Sequence, residues 1–322
     1  MQTPERPSPC SNGRLILCNI GRIGDTILSN SILDAAFRTY ATVDYICSKN
    51  NAELLEADSR LNKVIVLRNS LRGFANILRA ALRRRYDAFI GLKDAYSSTN
   101  LFLARIFRGG VKTGWNADRF RPFDRDVRKV HAPGLHKVEM MRRIGRLAGL
   151  EEGEYKPSLA LAADSVSWFR RNYSWGKPFI FLNLSATHPG RIWPVDHWAV
   201  YVRGCGLGEE PILINGLPKD QKMVEQLSQE LPGSRAFRAR NFMDVAAAIA
   251  DARLVLTVDT GVVHACSALD KPIVAFYCAG SSGIQIGPLS TRQLVIRPRA
   301  GGVVADIDPA KAIAETQQHG LP

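Results

Sequence analysis

This chain lacks the marks of several large protein classes. No apolar run approaches the roughly 18–20 residues that a membrane span needs. The opening stretch, MQTPERPSPCSNG, is polar and proline-rich. It has no apolar centre of a signal peptide, so residues 1–13 read as a frayed tail. Cysteines stand at positions 10, 18, 47, 205, 266 and 278, and no two have CxxC spacing. That argues against a zinc site or a disulfide scaffold and fits a reducing cytoplasm. No helix-turn-helix, RNP or zinc-finger pattern accompanies the basic residues, so nucleic acid is not an expected partner. The glycines after the first strand do not have GxGxxG spacing, and the second strand ends without an acid, which disfavours a dinucleotide site. Asp124-Arg125-Asp126 has the outline of a metal-binding DxD, but the arginines around it would compete with a cation. Neither a metal nor a cofactor is expected.

What the chain does have is a globular composition, 46% hydrophobic and 23% charged over 322 residues, enough for one large or two medium domains. The net charge of +13 is lopsided. Residues 1–160 hold 27 Lys and Arg against 16 Asp and Glu, a net +11, and the rest hold 16 against 14, a net +2. The first half is therefore expected to meet something anionic, such as a phosphorylated glycan or a membrane face.

Apolar runs alternate with amphipathic ones from one end to the other, the pattern of parallel α/β sheets with helices on both faces. Arg14–Ile20 reads as a strand, followed by a glycine turn at Gly21–Thr26 and a helix from Ile27. Asp25 stands at the mouth of this unit, as a helix cap or as a functional acid. Val43–Cys47, Val64–Leu67 and Tyr86–Leu92 read as strands. Leu71–Arg84 reads as a helix with Leu71, Phe74, Ile77, Leu78 and Leu82 inward and Arg72, Arg79, Arg83 and Arg84 outward. Gly109–Arg128 reads as a basic loop region. Glu151–Leu161 is acidic and turn-rich and marks a boundary, after which the pattern restarts.

The stretch Leu254–Ala268, LVLTVDTGVVHACSA, reads as a buried strand, a tight turn at Asp259-Thr260-Gly261 and a helix. Such a corner offers unpaired N–H groups and a partial positive charge to an anion. Thr260 adds a hydroxyl, Gly261 permits close approach, and His264 lies about one turn in. Asp259 can cap the helix or hold a sugar hydroxyl. The same residues also fit an ordinary capped α/β unit.

Taken together, four motifs in order resemble glycosyltransferase family 9, the ADP-heptose:lipopolysaccharide heptosyltransferases. They are RIGDTILSNSIL around Gly24-Asp25, SATHPGRIWPVDHW at Ser185–Trp198, ILINGLP at Ile212–Pro218, and Asp259–His264 with Ala268 and Lys271-Pro272 beyond. GVKTGW at Gly110–Trp115 falls where the family has an aromatic turn, and the resemblance spans residues 14–315. It implies an α/β GT-B fold of two Rossmann-like domains facing a cleft: an acceptor domain at 14–157 and a nucleotide-sugar domain at 158–305. A C-terminal helix at 306–322 is free to return to the first domain. It also implies an inverting, metal-independent transfer with Asp25 as general base. Donor contacts carried over are Thr187, His188, Arg191, Asp220, Arg240, Asp259, Thr260, Gly261 and His264, with Arg240–Met243 at the adenine pocket. Arg22, Gly24, Arg119 and Arg121 are the expected acceptor contacts. The implied partners are a nucleotide sugar and an anionic lipid-linked glycan, reached from the cytoplasm at the inner membrane face. Three departures stand out: Arg191 replaces the usual lysine, Lys219-Asp220 stand in for the usual acid, and His188 occupies a small polar position.

Overall fold

The computed structural model describes residues 11–68, 71–83, 85–108, 110–173, 175–280 and 283–321. Residues 1–10 of the expected tail, with Cys10, lie outside the described residues, as do Gly109 and Arg84 and the side chains of Leu71, Arg72, Phe74, Leu82 and Arg83. The chain divides into two compact units, Met1–Ala160 and Leu161–Pro322.

The first unit runs β1 (Ser11–Asn19), α1 (Ile23–Ser29), α2 (Leu33–Thr39), β2 (Tyr40–Ser48), α3 (Ala52–Glu56), β3 (Lys63–Leu67), α4 (Leu71–Arg83), β4 (Ala88–Gly91), α5 (Ser98–Ile106), β5 (Val111–Gly114), β6 (Arg125–Asp126) and α6 (Lys137–Ala148). Its strands form one parallel sheet in the order β3-β2-β1-β4-β5-β6. Leu15–Cys18, Val43–Cys47 and Ala88–Ile90 are buried, as continuous apolar strands of a two-faced sheet must be. Two expectations change. β1 begins at Ser11 rather than Arg14, because Ser11 pairs with Tyr40 and its Oγ donates to Thr39 O at 2.6 Å. The basic stretch after Gly109 is not all loop. Its β5 extends the sheet beside β4, and Asp124 accepts from Lys112 N at 2.8 Å while Asp126 pairs with Arg128. Those two contacts use both aspartates of the DxD within the sheet edge. His136 caps α6 by accepting from Val138 N at 3.2 Å.

The second unit runs α7 (Ala163–Tyr173), β7 (Ile180–Asn183), α8 (Val195–Gly204), β8 (Ile212–Asn215), α9 (Gln221–Glu230), β9 (Ser234–Phe237), α10 (Phe242–Asp251), β10 (Leu254–Val258), α11 (Gly261–Leu269), β11 (Ile273–Phe276), α12 (Gly283–Ile286), β12 (Gln293–Ile296) and α13 (Pro309–Gln318). Its sheet is parallel in the order β12-β11-β10-β7-β8-β9. The core gathers on Trp193, fully buried and stacked on Phe276 at 4.3 Å, with Trp198 and Tyr201 edge-on to it. Trp193 Nε1 donates to Ile307 O at 3.0 Å, which gives its own buried indole N–H a partner. The last helix belongs to this unit: α13 packs on α8, and Tyr201 Oη and Thr316 Oγ1 share a buried 2.8 Å hydrogen bond.

Both sheets have one topology. Numbered within its own unit, each places its first strand in the middle, with the second and third to one side and the fourth, fifth and sixth to the other. This is the doubly wound order. In each, the side on which successive strands are added switches between the first and fourth strands, which pair in parallel: β1 and β4 in one unit, β7 and β10 in the other. Beyond the carboxyl ends of those strand pairs is where such sheets take ligands.

Candidate functional site

In the first unit, β1 ends at Asn19 and the chain turns into α1. Gly21 is closely packed there: a Cβ would stand 3.2 Å from Asp25 Cβ and 3.1 Å from Asn19 Oδ1, so those side chains would have to shift to admit one. The turn is pinned by Asn51, whose Nδ2 donates to Gly21 O at 3.0 Å and to Thr26 Oγ1 at 2.7 Å. Asp25 is not the N-cap; Arg22 holds that position, and Asp25, three residues on, accepts from Arg22 N at 3.4 Å. The carboxylate keeps 43% of its surface exposed and faces Lys93 Nζ at 3.9 Å. Lys93 follows β4, on the far side of the switch point, so topology alone brings this pair together. The next residue, Asp94, is taken up by Lys137 at 2.7 Å, and that cation holds its carboxyl below the usual range despite burial. Among the described residues, the Lys93 ammonium makes no hydrogen bond.

In the second unit, a buried polar network ties the strand ends together. Asn183 Nδ2 donates to Thr257 Oγ1 at 3.0 Å and to Ser185 O at 3.1 Å, while Asn215 Nδ2 donates to Asn183 Oδ1 at 2.7 Å. Ser185 Oγ accepts from Leu217 N at 2.6 Å. These bonds lock the loops after β7, β8 and β10 relative to one another. Thr260, not Asp259, caps α11, accepting from Val262 N at 3.3 Å. Asp259 is therefore left for other work. It is 2% exposed, and Arg191 Nη1 lies 3.2 Å from its Oδ2 and 3.2 Å from its main-chain O. The hydrogen bond goes to the carbonyl, so among the described residues Asp259 Oδ2 is ion-paired without being hydrogen-bonded. Burial pushes the Asp259 carboxyl above the usual range, against the pull of Arg191 and Arg297. His264 is buried within α11. A helix start, a hydroxyl and a guanidinium on one sheet edge are equipped to hold a phosphorylated ligand.

Residues 76–302 match the sequence profile described as Glycosyltransferase family 9 (heptosyltransferase). The chain belongs to glycosyltransferase family 9. Among its relatives, lipopolysaccharide heptosyltransferase 1 of Escherichia coli K12 is 29% identical over 220 residues, and the match spans 66% of each chain. Lipooligosaccharide heptosyltransferase 2 of Haemophilus ducreyi is 24% identical over 323 residues, 90% of each chain. Among solved structures, a family 9 glycosyltransferase from Veillonella parvula superposes with a TM-score of 0.79 at 17% identity, covering 98% of this chain and 99% of that one. E. coli WaaC with ADP-2-deoxy-2-fluoro heptose superposes at 0.74 and 19% identity, covering 95% and 99%. The fold is α/β of the GT-B type, as the resemblance implied.

The other expected family 9 residues are distributed unevenly. Thr187 and His188 are exposed on the loop after β7, and His188 Nδ1 accepts from Gly190 N at 3.2 Å, shaping the turn that delivers Arg191. Gly261 opens α11. Asp220, after β8, is buried, and its Oδ2 has no hydrogen-bond partner among the described residues. Arg240 is differently engaged. It follows the edge strand β9, pairs with Asp244 at 2.8 Å and Asp164 at 3.0 Å, and lies over the Trp168 ring at 4.5 Å. Gly24 is buried in α1 and Arg22 is exposed beside it. Arg119 and Arg121 are exposed on the loop after β5, where Arg121 Nε donates to Asp118 O at 3.3 Å. Sequence reasoning missed Lys93 and Arg297. The only signal for either was a basic residue just past a strand end, and that becomes informative only once the strand order is known.

Proposed function

We propose that this chain transfers a heptose from ADP-heptose to a lipopolysaccharide core, or a related anionic glycan, with inversion and without a metal ion. The observation that carries the reading is the second-unit corner, where Asp259, Thr260 and the first turn of α11 stand beside Arg191. Family relatives named as lipopolysaccharide heptosyltransferases, and the WaaC structure holding a fluorinated ADP-heptose, support the donor class.

In this mechanism Asp25 accepts the proton of the acceptor hydroxyl as that oxygen attacks the anomeric carbon from the face opposite the nucleotide. The bond from the anomeric carbon to the diphosphate oxygen breaks, and its electron pair leaves with ADP. The leaving diphosphate gains one negative charge, which Arg191, the Thr260 hydroxyl and the start of α11 stabilise more than they stabilise the bound donor. Asp25 then returns its proton to water. The exposure of Asp25 suits a base that an incoming hydroxyl must reach. Asp220 takes a ribose hydroxyl. The basic first unit, through Arg22, Gly24, Arg119 and Arg121, holds the acceptor and touches the anionic inner face of the cytoplasmic membrane.

Arg191 and the Lys219-Asp220 pair also fit a family 9 transferase that uses another nucleotide sugar or acceptor. A donor screen separates the two. ADP released from ADP-heptose in the presence of inner-core glycan is the expected result, and turnover only with UDP- or GDP-sugars removes the heptose reading. A non-catalytic GT-B binding protein is removed if Asp25→Asn abolishes turnover while ADP still binds.

A further inference from the structure

Three neighbouring strands of the second unit end in one register. Val258 pairs with Phe276, and Phe276 with Ile296. The ladder continues one residue further: Asp259 N donates to Phe276 O at 3.0 Å and Tyr277 N to Ile296 O at 3.0 Å. Asp259, Tyr277 and Arg297 thus form a row across the carboxyl edge, with strands about 4.8 Å apart. Residues in register share a sheet face. The alternate positions, Leu256, Val258, Val274, Phe276, Leu294 and Ile296, all enter the Trp193 core, so the row lies on the opposite face.

Arg191, from the loop after the next strand, β7, joins the row through Asp259. In strand order the edge reads Arg297, Tyr277, Asp259, Arg191: two guanidiniums with one carboxylate. Arg297 lies 5.4 Å from the Tyr277 ring centroid, over the ring, and makes no guanidinium hydrogen bond among the described residues. Tyr277 is fully buried, and its Oη has no partner among the described residues. A native fold rarely leaves both a buried hydroxyl and an adjacent fork of five donors unused. Asp259 consumes one unit of positive charge, which leaves one in excess beside Thr260 and the start of α11.

We propose that Arg297, seated on Tyr277, is a second diphosphate-binding side chain that grips the terminal phosphoryl group of the nucleotide from the side opposite Arg191. The proposal rests on the donor reading above and adds a residue to it. A planar guanidinium supported by an aromatic face is pre-organised for bidentate contact with phosphoryl oxygens. Because charge grows on that phosphoryl group as the sugar leaves, Arg297 holds free ADP more tightly than it holds the intact donor.

The test is calorimetric titration with ADP and with AMP. Wild type is expected to prefer ADP. Arg297→Met should lower ADP affinity by about tenfold or more and AMP affinity by less than about twofold. Arg297→Lys, which keeps the charge and loses the fork, should fall between, and it gives the same reading if the methionine variant does not fold. Unchanged ADP affinity in Arg297→Met, or equal losses for ADP and AMP, would overturn the proposal in favour of a packing role. Should wild type bind UDP or GDP instead, the matching mono- and diphosphates replace the pair. A wild type that binds no nucleoside diphosphate sinks the donor reading itself, whereas a wild type that binds ADP and a variant indifferent to position 297 sink this inference alone.

Discussion

The two sheets share a strand order and differ in what they place at the switch point. In the first unit the edge is open and charged. Asp25 and Lys93 face each other at 3.9 Å, both partly exposed. In the second it is closed and cross-braced: Asn183, Asn215, Thr257 and Ser185 bond beneath a carboxylate that is almost wholly buried. In the proposed mechanism, this one topology serves two tasks. There, an acid that must receive a hydroxyl from a large glycan needs access. A seat for a small, highly charged diphosphate gains from fixed dipoles in a drier place, where each interaction is stronger.

The comparison breaks most visibly at Asp25. Asp25→Asn should reduce transfer by about a thousandfold, measured as ADP release, while calorimetric ADP affinity stays within about twofold of wild type. A matched loss of ADP binding would mean that the two edges do not divide the labour. The next largest effect concerns folding. Trp193→Ala removes a fully buried indole stacked on Phe276 and should destabilise the second unit by about 3–5 kcal/mol. Urea unfolding followed by hydrogen exchange should then show the second unit opening first, with amides of β1 and β4 still protected.

Lys93→Met sharpens the account of the open edge. If the ammonium guides the acceptor toward Asp25, acceptor KM should rise by about three- to tenfold with donor KM unchanged. A change in donor KM instead would assign Lys93 to the nucleotide. The smallest effect is at Asp259. Its folded carboxyl titrates above the unfolded one, so ionisation on folding is unfavourable. That penalty is absent below the unfolded pKa, grows as pH rises to the folded value, and is fully present above it. Ligand-free Asp259→Asn should therefore melt slightly higher than wild type at pH 7. The gain should vanish near pH 3, as differential scanning calorimetry at both pH values would show.

Much of this was legible from residues alone. Leu254–Val258 is apolar without alternation, and Asp259-Thr260-Gly261 follows it. A buried strand, a turn and a helix were readable there because local chemistry specifies them. The glycine turn expected at Gly21–Thr26, with a helix from Ile27, was legible only in part: α1 already begins at Ile23, so Gly24 and Asp25 lie in its first turn, because the helix can start as soon as Arg22 takes the cap position. The caps were less legible. Asp25 and Asp259 were both candidate caps, yet Arg22 and Thr260 hold those positions, because a cap is chosen by backbone geometry over three or four residues. Arg240 had the right position before a helix, but nothing local shows that Asp164, 76 residues away, and Trp168 would engage it.

By itself, then, the order of residues determined the kind of elements, their succession, the uneven charge and the two acids worth watching. All of these depend on neighbours within a turn or a strand, or on simple composition. Which side chains meet was decided only by the folded sheets. Lys93 reaches Asp25 because β4 lies beside β1, and Arg297 lines up with Tyr277 and Asp259 because three strands share one register. Such meetings follow from hydrogen bonds between strands far apart in the chain, and strand order and register are settled only when both faces of each sheet have been buried.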